Sequence, residues 1–434
     1  MSHGGRGAKM FYGWVVLGAA FVVIMVGVGS MFSVGVFLIP LQEEFGWNRS
    51  QISLASLLNW FAFGLFSFLL GALSDRIGTR RVVFCGGITL GLGMVLSSLT
   101  REIWHLYLTF GLLGGMGVGA LYVPLSATAT RWFTTNRGLA VAIVSAGNGI
   151  GILAIAPLAR HLISTYGSAT AFVVMGVLAW AIILPAALLL RNSPVESGYQ
   201  AYGAGSQLSL GRPVGEDAHD AEGLLGREGG GSRRVGPTFW VITLTHCLCC
   251  AAHAGPILHM APFAMDVGLP KMIAATLLGV SGFVSIVGRV GTGVIADRMG
   301  AKTTLIAALS LQATAIVLYL WAGPLWTFIA LAVVFGVAYG GVMPLYTVLT
   351  RQYFGQRVMG AMYGAVFGIS CVGMGIGSYL GGVFFDLAGS YAWLYLVSFL
   401  LGGSAVALAA CLRPPRTGVF QPQMNTDEHG LQTA

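Results

Sequence analysis

Apolar stretches long enough to cross a membrane follow one another along almost the whole of this 434-residue chain, separated by short polar or glycine-containing turns. A helix needs about 20 apolar residues to cross about 30 Å of hydrocarbon. Twelve stretches meet that length, at roughly 12–39, 50–73, 81–99, 104–126, 137–159, 168–190, 238–264, 272–296, 302–322, 325–349, 358–384 and 391–412. The widest gap, 192–236, is rich in Gly and Ser, carries mixed charge and contains the run GREGGGSRR, so it reads as a flexible linker. Residues 414–434 read as a similar, disordered tail. The pattern therefore predicts an all-α membrane protein: a six-helix N-terminal half (1–191), the linker (192–236), a six-helix C-terminal half (237–413) and the tail.

Composition agrees. The chain is 56% hydrophobic and 9% charged, against about 25% charged in a soluble domain. The first apolar stretch is too long for a signal-peptide core and is expected to stay as the first span. A pI near 9.3 would point a soluble protein toward nucleic acid. Here the basic residues flank spans, which assigns them to topology and leaves no nucleic-acid partner. Six cysteines all fall in apolar stretches, which is not a disulfide framework. His246, Cys247, Cys249, Cys250 and His253 cluster on one predicted helix, but no second cluster or carboxylate completes a metal site. No metal and no cofactor is expected.

Charge then orders the picture. One set of alternate loops holds Arg76, Arg80, Arg81, Arg131, Arg137, Arg191, Arg298, Lys302, Arg351 and Arg357, with further basic residues in the linker and termini. The other set holds only Arg49, Arg101, Arg160 and Lys271. The basic side, with both termini and the linker, is expected to be cytoplasmic. One charge escapes this sorting. Arg289 sits well inside the eighth apolar stretch, and all fifteen Asp and Glu residues fall in loops, tails or at helix ends. A guanidinium stays protonated in hydrocarbon at a cost of several kcal/mol or more. Arg289 is thus expected to be the only formal charge deep in the membrane, and the sequence offers it no carboxylate. Its missing anion is read as a substrate.

The two halves repeat each other. Gly71-Ala-Leu-Ser-Asp75-Arg76-Ile-Gly78-Thr-Arg80 follows the second stretch, and Gly293-Val-Ile-Ala-Asp297-Arg298-Met-Gly300-Ala-Lys302 follows the eighth. Arg131 and Arg351 stand at corresponding places after the fourth and tenth. Same-orientation halves imply a parallel repeat about an axis along the membrane normal. The glycines suit a tight turn and close helix approach. Asp75 and Asp297 can pair with Arg76, Arg80, Arg131, Arg298 or Arg351 and latch the basic side.

At these duplicated loops the chain resembles the major facilitator superfamily. Phe11-Tyr12-Gly13-Trp14, together with Trp132-Phe133-x-x-x-Arg137-Gly138-Leu139-Ala140 and Ala146-Gly147, resembles more narrowly its monocarboxylate transporter family, which neighbours the oxalate/formate antiporters. The resemblance implies a central cavity among spans one, four, seven and ten, and gives Arg289 the role of binding the substrate carboxylate. Two positions depart from animal members: Ser285 stands where they carry an aspartate, and no lysine occurs near Phe32. Within the implied cavity, the hydroxyls of Tyr122 and Tyr339 and the amide of Asn148 can donate to a carboxylate, with packed aromatics and helix joining as the alternatives. Cys371 is open to either ligand contact or close packing. With no carboxylate in the core, histidine is the natural proton carrier, and His259, near the outer end of span seven, is assigned as gate or proton entry.

The expectation is a secondary transporter, not an enzyme. It would move a small monocarboxylate such as lactate or pyruvate with a proton, by alternating access, as a monomer in the cell membrane. An oxalate/formate-type exchanger is the transport alternative, and a carboxylate-binding membrane sensor the alternative of another class.

Overall fold

In a computed structural model of the chain, residues 11–133, 137–202, 236–354 and 359–412 are described. Most of the linker, and the tail, lie outside them. Helices account for nearly everything within. The first span, α1, runs Tyr12–Phe32, loosens at Ser33 and continues as Val34–Phe45. It is followed by α2 (Arg49–Ile77), α3 (Thr79–Ser97) and α4 (Ile103–Trp132). A single 53-residue helical run, Arg137–Leu189, comes next. At about 1.5 Å per residue it is twice too long for one crossing, and Gly167, with φ 84° and ψ 169°, breaks it into α5 (137–166) and α6 (168–189). The second half holds α7 (Pro237–Asp266), α8 (Lys271–Met299), α9 (Ala301–Leu318), α10 (Leu325–Phe354), α11 (Met359–Ala388) and α12 (Ala392–Ala410). Among the described residues eleven helical runs, one of them broken at Gly167, thus make twelve crossings, and residues 11 and 412 emerge at the same end.

That shared end is the basic one, and it is held by the residues whose motifs stand out in the sequence. Phe11 and Trp14 pack edge-on against Phe133, with ring centroids 5.9 and 5.1 Å apart. The indole of Trp132 donates to the Arg191 carbonyl (3.1 Å), and the Tyr12 hydroxyl donates to that of Leu189 (2.9 Å), which ties off the end of α6. In the other half Lys302 does the equivalent work, its ammonium donating to the carbonyls of Ala410 and Leu412 at the end of α12. The duplicated loops also match in backbone: Gly78 (φ 94°, ψ 141°) and Gly300 (φ 83°, ψ 146°) occupy the same positive-φ conformation, which only glycine adopts without strain.

Two helix pairs join the halves, α2 with α11 and α5 with α8. Small residues bring their backbones together. A Cβ on Gly382 would stand 2.6 Å from the Arg49 carbonyl oxygen, one on Gly375 3.0 Å from that of Leu57, and one on Gly282 2.7 Å from the Ile152 side chain. Away from the basic end, Gly35 of α1 abuts the Leu258 carbonyl of α7, four residues before Pro262. Toward the basic end the same pairs part. A Cβ on Gly364 would only graze Phe68 at 4.0 Å, and one on Gly368 or Gly291 would meet nothing. Among the described residues the molecule is closed at the end opposite the basic loops, termed the outer end, and open at the basic end.

Gly78→Val tests the loop geometry, because its side chain would be both strained and within 2.5 Å of the Asn192 amide. It should cost about 1–3 kcal/mol, read as a fall of several degrees in thermal unfolding in detergent. An unshifted midpoint would mean that the loop relaxes freely.

Candidate functional site

The site is built where α8 crosses α10. Gly288 and Gly340 let the two backbones touch: a Cβ on Gly340 would lie 2.6 Å from Ser285 Cα, and one on Gly288 3.0 Å from the Gly341 nitrogen. Thr292 seals the crossing by donating to the Gly341 carbonyl (2.8 Å). Arg289, one residue past this contact, is placed with its guanidinium beside the Tyr339 hydroxyl and within electrostatic reach of the His253 ring. Tyr339 and His253 rings stand 5.8 Å apart. The His253 Nδ1 lies 2.7 Å from the Cys249 carbonyl, so that nitrogen carries the hydrogen.

No carboxylate among the described residues pairs with Arg289, and its Nε is buried without a hydrogen-bond partner. The Asn148 Oδ1 on α5 is buried and partnerless too. It belongs to the turn at which Gly149 abuts Gly282 and Ile286 of α8. Because amide oxygen and nitrogen are assigned rather than seen, this group can present either a donor or an acceptor. Orphaned buried polar atoms cost about 1–3 kcal/mol each, and Nη1 of Arg160, also on α5, is another. Beside the His253 ring an apolar wall begins. Ala254, next to His253, packs with Met374, and Phe32, Trp60 and Met343 lie against them. Phe32 and Trp60 meet edge to face at 5.6 Å. A small recess bounded by Phe32, Trp60, Ala254, Met374 and Ser378 continues toward the outer end.

Tyr122 is stacked on Phe367 at 5.7 Å and 11° and edge-on to Phe63, whose ring meets Trp60 at 5.6 Å. Cys371 is buried, and its Cβ would be 2.8 Å from a Cβ on Gly64, so it fills the α2–α11 contact. His259 is buried on α7, six residues after His253: its Nε2 is 3.0 Å from the Ser378 carbonyl and its Nδ1 2.9 Å from the Tyr391 hydroxyl. At the basic end Asp75 pairs with Arg131 at 2.5 Å. Both belong to the first half, so in this conformation the pair does not bridge the halves. Arg76, Asp297, Arg298 and Arg351 are exposed at helix ends, and Arg80 is half-buried. The loop residue Arg357 lies outside the described residues.

What sequence reasoning missed is Arg49, counted there only toward topology. It is 5% exposed, more buried than Arg289, and so is Arg160 of α5. Its guanidinium grips both oxygens of Asp266 (2.5 and 2.8 Å), donates to Tyr391 (2.8 Å) and Gln42 (3.1 Å), and lies 3.6 Å over the Phe385 ring. Asp386 of α11 accepts the backbone N–H groups of Arg49 (3.1 Å) and Ser50 (2.7 Å), capping α2 from the opposite half. A usable signal existed: Asp266 and Asp386 both stand at outer helix ends, where few basic residues could answer them.

Two pseudo-symmetric six-helix halves, joined at one end and parted at the other, with the half-buried Arg289 inside α8, have the architecture of a secondary transporter. The Major Facilitator Superfamily family model matches residues 19–378 and 293–428, and the chain belongs to that superfamily. Within it, the chain is similar to monocarboxylate transporters. It is 28% identical to monocarboxylate transporter 13 of Rattus norvegicus (92% of this chain, 88% of that one). It is 26% identical to monocarboxylate transporter 2 of Homo sapiens (89% and 82%). Among solved structures it resembles a bacterial homolog of the human lysosomal transporter Spinster in an inward-facing, occupied conformation, with a TM-score of 0.71 at 16% identity over 93% of this chain and 97% of that one.

Asp75→Asn removes a pair whose partners are 64% and 33% exposed, and such pairs are worth less than about 1 kcal/mol. Its thermal midpoint should therefore match the parent within about two degrees. A larger drop would show that the pair braces the first half.

Proposed function

We propose that the chain carries small monocarboxylates such as lactate or pyruvate across the cell membrane, together with a proton, by alternating access. The observation that carries this reading is the buried, partnerless Nε of Arg289 in a core without carboxylates. A carboxylate bound there forms a neutral pair, so the loaded site moves no net charge through the hydrocarbon region. A single core cation suits a monoanion better than a dianion. The Tyr339 hydroxyl and the Asn148 amide would orient the carboxylate and any 2-hydroxy or 2-keto oxygen, while the Phe32, Trp60 and Met374 wall would take the carbon chain. Tyr122 and Cys371 would shape the cavity from the α4 and α11 sides. The similarity to monocarboxylate transporters over nine-tenths of the chain supports the substrate class.

In this reading the basic end is cytoplasmic and the described conformation opens inward. Rocking the halves would close that end, where Asp75, Arg76, Arg80, Arg131, Asp297, Arg298 and Arg351 would form a latch. One copy of the chain contains every element this cycle uses, so the monomer suffices.

Uptake of labelled lactate into vesicles tests the assignment. Arg289→Ala should fall to background while the protein stays folded and monodisperse. Arg289→Lys keeps the charge but loses the two-pronged grip, and should raise KM about tenfold or more. Unchanged uptake in a well-expressed Arg289→Ala protein would remove the arginine from the site. Tyr339→Phe deletes one donor and should raise KM about five- to tenfold, with the rate at saturation affected less.

A further inference from the structure

The outer closure contains a hydrogen-bond chain in which every hydrogen can be assigned. The Ser378 carbonyl can only accept, so the His259 Nε2, 3.0 Å away, carries the ring hydrogen; Ser53 Oγ, at 3.4 Å, is its more distant neighbour. Nδ1 is then a bare lone pair facing the Tyr391 hydroxyl at 2.9 Å, and that hydroxyl must donate to it. The Tyr391 oxygen in turn accepts from Arg49 Nη1 at 2.8 Å. Hydrogens therefore point one way, from Arg49 to Tyr391 to His259 to Ser378. The chain joins the halves, because Arg49 and Ser53 belong to α2 while His259, Ser378 and Tyr391 belong to α7, α11 and the start of α12.

We propose that His259 Nδ1 is a proton-binding site and that filling it releases the outer end of the transporter. A proton arriving from water at that end forms an N–H bond at Nδ1, and nothing else in the covalent structure changes. Both ring nitrogens are then donors. The Tyr391 hydroxyl must turn and accept from His259 and Arg49 together, leaving its own hydrogen without an acceptor and two cations on one neutral oxygen. The charged and titratable groups around the ring are Tyr391, Arg49, Asp266 and Asp386. Both carboxylates are already committed, Asp266 to the Arg49 guanidinium and Asp386 to the α2 amides. Asp386, bound only to neutral amides, keeps a charge that offsets part of a second cation, so the conflict that remains is the clash of donors at the Tyr391 oxygen. The conflict ends when α2 carries Arg49 away, so the closed form holds His259 neutral and the open form admits the proton. Acid therefore favours the outer-open form, which is the form that loads external substrate. This deepens the proton-linked reading above by assigning the proton a site that regulates access.

The test needs no substrate, so it can fail independently of the monocarboxylate assignment. Spin labels at Glu44→Cys and Leu387→Cys, both exposed positions on opposite halves at the outer end, report the opening in full-length protein in lipid nanodiscs. Cys85, Cys247 and Cys411, the thiols not fully buried, are replaced by serine. Between pH 8 and pH 5.5 the ratio of long to short distances should rise by up to about tenfold per pH unit around the transition, the limit for one linked proton. His259→Gln should abolish the response. Tyr391→Phe keeps the Arg49–Asp266 grip and the ring packing but cuts the chain, and should reduce it markedly. A parent that does not respond overturns the proposal. So does an undiminished response in both variants, which would move the titration to Asp266 or Asp386.

Discussion

Two guanidinium groups, placed in a medium that tolerates no unanswered charge, organise this molecule in opposite ways. Arg49 is answered entirely by the protein: a carboxylate gripped at both oxygens, a phenol, an amide and an aromatic face, nearly all supplied by the half it does not belong to. Removing one such partner would strand a buried charge, which is why this contact can hold six helices against six. Arg289 is answered incompletely, with a buried Nε that no protein group meets. The first arginine ties the halves together at one end of the molecule, and the second carries a charge that no carboxylate among the described residues pairs.

The contrast runs through the packing. Where α2 meets α11 and α5 meets α8, glycines allow backbone contact at van der Waals distance, and dispersion over such a surface needs no water to be expelled. The contact is tight from Arg49 to Gly64 and ends there. Below it, Phe68 on α2 is more than half exposed, and a Cβ on Gly368 of α11 or Gly291 of α8 would meet nothing. A rigid joint at one end and an open seam at the other is the geometry of a rocker, and it follows from where along each helix the small residues fall.

Much of this was legible in the sequence. The twelve crossings, the division into halves and the odd position of Arg289 follow from apolar length and from counting charges, because the bilayer penalises errors in both. The duplicated loops foretold the matching positive-φ turns at Gly78 and Gly300, where one chemistry satisfies one backbone. Tyr339 is singled out by its place in span ten, and the structure adds that α10 crosses α8 where Arg289 stands. The outer cluster was not legible. Arg49, Asp266, Asp386 and Tyr391 are separated by hundreds of residues, and each looks ordinary at its own helix end; only the fold makes them neighbours. Tyr122 and Tyr339 carry the same chemistry, yet the Tyr122 ring stacks on Phe367, which sequence position alone does not reveal.

Pro262 adds a mechanical consequence. A proline has no N–H to give the carbonyl four residues back, and in α7 that carbonyl is Leu258, the oxygen against which Gly35 rests. One turn of α7 is therefore missing a rung just beside His259, and the freed oxygen is pressed by the other half instead of by its own helix. Such a turn is compliant. When the halves separate, the oxygen loses its neighbour and turns toward water, so the strain of opening is absorbed locally rather than passed along α7 to His253. The central site can keep its shape while the end of the helix above it bends.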